Sequence, residues 1–207
     1  MLTAATSRAV FERYLTPAEE KQLLGHVAQF ADVLARRDHA WMRLLRQTGL
    51  RVQSLSLLDV GAAREALATK RLRIDDAIAK GGRGYDVHLN KRAVIALKEL
   101  LQIRRRMLGG SCGAGEESLL LCRRGHRLSV RSLQARMREW VHDCRLPVAA
   151  SPHWWRHTLA KRLIANSESQ DPLGIVQVAL GQRSRNSTGV YSLPDREAIA
   201  MAMEAAA

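Results

Sequence analysis

The sequence predicts a mainly α-helical fold with one small antiparallel β-hairpin, an α+β chain of 207 residues. Three observations lead there. Capped segments with apolar residues at three- and four-residue spacing recur along most of the chain. Only one stretch alternates polar and apolar residues, on both sides of a glycine-rich turn. Hydrophobic residues make up 46% of the chain, enough to bury a core, yet no apolar run is long enough to span a bilayer.

The elements follow in order. Thr16-Pro17-Ala18-Glu19 combines an N-cap, a proline at the first helical position and a glutamate that closes a capping box. Leu23, Leu24, Val27, Phe30, Ala31 and Leu34 continue at helical spacing, so one helix is expected from residue 17 to about 34. A second helix over 39–47 turns Trp41, Leu44 and Leu45 inward and breaks at Thr48-Gly49. A short helix follows from Val52 to Leu58. Arg71–Ile74 and Tyr85–Leu89 are the hairpin strands, joined through Lys80-Gly81-Gly82-Arg83-Gly84. Residues 91–108 read as a helix with Val94, Leu97, Leu100, Leu101 and Met107 on one face, ended by Gly109-Gly110. Ser129 caps a helix to about Cys144, with Leu133, Met137, Trp140 and Val141 inward. Ser151-Pro152 opens one to Ala165, Asp171-Pro172 opens one to Leu180, and a last helix covers about 195–206.

Lys and Arg number 33 against 20 Asp and Glu, a net charge of +13. The excess is concentrated in residues 49–147, which carry +10 of it. Such a balance points to a polyanionic partner, nucleic acid first and an anionic membrane surface second. Aromatic content of 4% argues against gripping single strands by base stacking. Three cysteines, Cys112, Cys122 and Cys144, form no close pair, and the N-terminus lacks a signal-peptide core, so a reduced cytoplasmic setting is expected.

Four places offer chemistry. In Thr48-Gly49-Leu50-Arg51, an arginine stands at a helix N-terminus, where it opposes the helix dipole unless an anion binds. Lys80 sits in a glycine turn from which it can reach a phosphate or give up a proton. In His153-Trp154-Trp155-Arg156-His157-Thr158, His153 and Arg156 share a helix face, and the tryptophans read as core volume. His153 and His157 have zinc-pair spacing, but the His-Glu-x-x-His pattern is missing and no third ligand stands out. Cys122 and His126 likewise lack a second ligand pair. Last, Leu180-Gly181-Gln182 is followed across a polar, basic stretch by Tyr191. Taken singly, each place also reads as ordinary surface or core.

Taken together and in this order, the four resemble the catalytic domain of the tyrosine recombinases, or phage-type integrases. Residues 48–51 match the family's Thr-Gly-Leu-Arg motif, and Lys80 falls where the family places a catalytic lysine. His153 through Thr158 match its His-x-x-Arg-His-Thr motif. Leu180-Gly181 begins its Leu-Gly-His motif, and Tyr191 has the nucleophile's spacing. The likeness runs over roughly residues 14–192 and implies one domain over 1–207, with no N-terminal DNA-binding domain ahead of it. Two positions depart: Gln182 replaces the usual His or Trp, and Ser54 replaces a common acid.

The resemblance implies site-specific cleavage and rejoining of DNA strands with catalytic residues Arg51, Lys80, His153, Arg156, Gln182 and Tyr191. The arginines would clamp non-bridging phosphate oxygens, where fixed forked charge is effective. Tyr191 would attack phosphorus, His153 would take its proton, Lys80 would protonate the leaving 5′ oxygen and Gln182 would add a hydrogen bond. The phosphotyrosine conserves the bond, so neither a cofactor nor a metal is implied. Double-stranded DNA is the implied partner, bound by a monomer in solution that becomes a tetramer on DNA. The C-terminal helix would dock on a neighbour, and an accessory DNA-bending protein is a further possible partner. No membrane is involved, and the setting is the bacterial nucleoid. Gln182 and Ser54 leave a catalytically impaired DNA-binding relative open, and a type IB topoisomerase-like enzyme or an unrelated nucleic-acid-binding helical module also stands as an alternative.

Overall fold

The computed structural model describes residues 12–79, 83–110, 113–182, 184, 188–194 and 196–206. Helix α1 (Pro17–Val27) opens with the capping box, Thr16 Oγ1 accepting from the Glu19 amide and the Glu19 carboxylate accepting from the Thr16 amide. The helix expected to continue to residue 34 instead stops at Val27. Asp32 restarts the chain, its carboxylate accepting the amides of Leu34 and Ala35, and α2 runs over Val33–Thr48. A carboxylate N-cap satisfies amides that a continuous helix would have bonded internally, so the apolar spacing across the break is misleading. Phe30 is 41% exposed, packed at the rim on Trp140 rather than in the core.

Next come α3 (Val52–Leu57) and α4 (Val60–Thr69), then strands β1 (Arg71–Ile74) and β2 (Tyr85–His88). The strands pair antiparallel, Arg71 opposite His88 and Ile74 opposite Tyr85. The rest is helical: α5 (Lys91–Met107), α6 (Val130–Asp143), α7 (Pro152–Ala165), α8 (Pro172–Ala179) and α9 (Arg196–Ala205). The second helix, expected over 39–47, begins six residues earlier at Val33, because Asp32 caps it; α1 aside, the other described elements named from the sequence lie within a residue or two of the expectation. The pattern does not mark α4, because its buried face is Val60, Ala63 and Ala66. Among the described residues, no helix is long and apolar enough to cross a membrane.

Helix α2 is the central element, packed against α1, α5 and α7. Its Trp41, Leu44 and Leu45 are fully buried, joined by Leu97 and Leu100 of α5 and Trp155 of α7. Asp38 fixes α2 to α6. One carboxylate oxygen accepts from Arg37 and the Trp41 indole, and the other accepts from Arg136 Nε at 2.7 Å and the Trp140 indole at 3.0 Å. A fully buried carboxylate tolerates its desolvation only when paired and bonded in this way. A second, smaller cluster sits apart, formed by Ala160, Val176, Leu180 and Tyr191 and flanked by Leu159, Leu163 and Ile164.

Candidate active site

Two glycine turns meet at one arginine. Gly49 ends α2 in the left-handed conformation, φ 60°, and a side chain there would stand 2.5 Å from Leu180. Gly181 follows α8 at φ 57°, and a Cβ there would clash with the Tyr85 ring. Both positions favour glycine for their left-handed backbone conformation, and Gly181 also for space, since the Tyr85 ring fills it. Arg156, on α7 and 2% exposed, spans the turns: Nη1 donates to Gly49 O at 2.8 Å and Nη2 to Leu180 O at 2.6 Å. The motif's other members fix its surroundings. Thr158 accepts from the Leu15 amide at 2.9 Å and donates to Trp154 O, and the fully buried Trp155 anchors α7 in the core.

Arg51 is the N-cap residue of α3 and makes no side-chain cap bond. It lies close enough to Arg156 to depress that guanidinium's pKa, an effect second to burial, while the phenols of Tyr191 and Tyr85 oppose the drop. Two positive groups close enough to feel each other beside a buried turn make a ready anion site. Ser54, in place of the family's common acid, is buried and donates to Ile78 O at 3.1 Å, so it braces the first arm of the hairpin rather than Arg51. Lys80 lies outside the described residues, as do residues 183 and 185–187 of the basic stretch before Tyr191.

Tyr191 is 4% exposed. Its hydroxyl accepts from Gln182 Nε2 at 3.2 Å, and the Gln182 carbonyl accepts from Thr188 Oγ1 at 2.8 Å, which fixes the amide's orientation. The His157 ring meets the Tyr191 ring edge-on, centroids 5.0 Å apart, and His153 meets His157 in the same way at 4.8 Å. His153 itself is exposed, while the two tryptophans that follow it are buried, as the sequence reading has them. His157 has its pKa pushed down to about 4, by burial first and then by the positive surroundings of His153, Arg156 and Arg13. It is therefore neutral at physiological pH. Arg51, His153, Arg156, Gln182 and Tyr191 thus converge on one site. Sequence reasoning missed the parts played by His157, Thr188 and Tyr85, although Tyr85 closes the glycine turn and His157 directly follows Arg156.

Fold and site together define a class: a mainly helical fold that sets a buried tyrosine, Tyr191, beside Arg156 and Arg51. The chain matches the model of the phage integrase family over residues 13–197, and it belongs to that family. It is 33% identical over 176 residues to tyrosine recombinase XerC of Shewanella amazonensis, a match covering 84% of this chain and 55% of that protein. It is 31% identical over 202 residues to XerC of Chromohalobacter salexigens, covering 92% of this chain and 63% of that one. The chain thus spans little more than half the length of such relatives. Among solved structures, its fold is similar to that of XerA recombinase, with TM-score 0.74, 20% identity, and coverage of 95% of this chain and 64% of that one. A lambda integrase tetramer bound to a Holliday junction has TM-score 0.62 and 20% identity, with coverage of 91% and 50%.

Proposed function

We propose that this domain cleaves and rejoins DNA at specific sites through a covalent 3′-phosphotyrosine at Tyr191. The gathering of Tyr191, Gln182 and the buried Arg156 around one point supports the reading most directly. Arg51 and Arg156 hold the non-bridging oxygens and oppose the charge that spreads over them as phosphorus becomes pentavalent. The Tyr191 hydroxyl attacks phosphorus and its proton passes to His153. A phosphorus–oxygen bond forms as the bond to the 5′ oxygen breaks, and Lys80 protonates that oxygen. The reverse sequence, run with another 5′ hydroxyl, rejoins the strands. One phosphodiester is exchanged for another, so the bond energy is kept.

The substrate is double-stranded DNA at the bacterial nucleoid, held through the basic excess of residues 49–147. The chain is a monomer that assembles as a tetramer on DNA, with α9 of one copy docking on the next. Ile199, Met201 and Met203 of α9 are exposed. A groove of about 620 Å³ bounded by Leu159, Leu163, Ile175 and Val178 offers an apolar receiver, with Val178 78% exposed. An accessory DNA-bending protein would act on the same assembly.

One observation favours a second reading, a DNA-binding relative with impaired catalysis. Tyr191 is buried, and its hydroxyl is held by an amide that cannot relay a proton. A library of nicked duplexes with randomised flanking arms separates the two. Cleavage beside a nick releases a short fragment and traps the adduct. An SDS-resistant adduct whose modified peptide contains Tyr191, and which Tyr191→Phe abolishes, supports the recombinase. Retention of duplexes with no adduct supports the second reading.

A further inference from the structure

Tyr85 stands at the junction of three parts of the site, and no motif includes it. It is the first residue of β2, directly after the segment that contains Lys80, and it pairs with Ile74 at the turn end of the hairpin. Its ring lies so close to Gly181 that the space a Cβ would need is taken by Cγ, Cδ1 and Cδ2. Gly181 directly precedes Gln182, which holds the Tyr191 hydroxyl, and directly follows Leu180, whose carbonyl holds Arg156. The Tyr85 hydroxyl is buried and has no hydrogen-bond partner among the described residues. Its phenol is near enough to Arg156 to support that guanidinium's charge.

A ring alone would serve if packing were the whole purpose. Phenylalanine fills the same space without the unbonded buried hydroxyl, and a buried polar group without a bond is an arrangement that native proteins rarely keep. We propose that Tyr85 is a positioning residue for strand cleavage: its ring locks the lysine-bearing hairpin onto the Gly181–Gln182 turn, and its hydroxyl bonds the Arg156 guanidinium when that group turns toward a phosphate. The inference rests on the Tyr191 chemistry proposed above. It supplies a physical link between a hairpin and a turn that lie in distant parts of the sequence.

The test compares Tyr85→Phe, Tyr85→Leu and Tyr191→Phe with the wild-type chain. The readouts are adduct formation on the best nicked duplex from the library, DNA affinity by fluorescence anisotropy, and thermal midpoint. Tyr85→Phe is expected to slow adduct formation about tenfold, the scale of one transition-state hydrogen bond. Its DNA affinity should stay within about twofold and its midpoint should hold or rise, since it removes an unbonded buried hydroxyl. Tyr85→Leu should slow adduct formation further and lower the midpoint, because the ring is lost. Wild-type cleavage rates in Tyr85→Phe overturn the inference, leaving the hydroxyl as packing or as a site for a trapped water. A lowered midpoint in Tyr85→Phe also overturns it, by showing a structural partner in the free protein. If the wild-type chain itself forms no adduct, both this inference and the Tyr191 reading fall. If wild type reacts and Tyr85→Phe matches it, only this inference does.

Discussion

Replacing Arg156 with lysine keeps the charge and removes the fork. In the structure, two guanidinium nitrogens bond Gly49 O and Leu180 O from a position that is 2% exposed. A lysine ammonium is a single point and cannot reach both carbonyls in that geometry, so at least one buried carbonyl loses its partner, at about 1–3 kcal/mol. An ammonium is also more strongly hydrated than a guanidinium, which adds to the burial cost, so Arg156→Lys should lose about 2–4 kcal/mol of unfolding free energy. For a domain of this size that corresponds to a thermal midpoint lower by about 5–12 °C. Urea unfolding followed by circular dichroism measures the free energy, and calorimetry measures the midpoint. Adduct formation should fall by at least about 100-fold, because a clamp on developing phosphate charge is worth roughly that much. A stability loss under about 0.5 kcal/mol would refute the claim that Arg156 ties the two glycine turns together.

Two further predictions concern pH and packing. The His157 pKa is about 4 in the folded chain and near 6.5 when unfolded, so its contribution is intact above pH 6.5 and is lost as pH falls toward 4. Between pH 7 and pH 4.5 the wild type should lose about 2 kcal/mol more stability than His157→Gln in parallel urea titrations, and parallel curves would contradict the assignment. Asp38→Ala strands two arginines and two indole N–H groups in or beside the core, and should cost about 3–5 kcal/mol by urea unfolding, far more than Asp32→Ala at about 1 kcal/mol.

Most of the fold is legible because its helices announce their own ends. Thr16, Asn90, Ser129 and Asp171 each cap a helix with a side-chain oxygen, as their residue types suggest. Helix α4 escapes notice because alanines face the core, and alanine gives little periodic signal. The break between α1 and α2 escapes because Phe30 and Leu34 keep the apolar rhythm across a gap that Asp32 in fact caps. Type and spacing single out Arg51, His153, Arg156, Gln182 and Tyr191, which the fold brings near one another, whereas Lys80 lies outside the described residues. His157, Thr188 and Tyr85 act through edge contacts and hydrogen bonds that exist only once α7, α8 and the hairpin meet. Ser54 looked like a missing partner for Arg51, and its bond to Ile78 O has no signature in sequence.

The separateness of the cluster around Tyr191 has a consequence for regulation. Three buried side chains, Ala160, Val176 and Leu180, pack with Tyr191, while the large core around α2 holds most of the other described elements. A unit so small opens at a free energy well below that of global unfolding. Amides of α8 should therefore exchange with solvent sooner than those of α2. On the chemistry proposed above, Tyr191 would be unlatched and handed to DNA, or kept from it, while the α2 core stays folded: the reactive group would be on a separate thermodynamic switch from the grip.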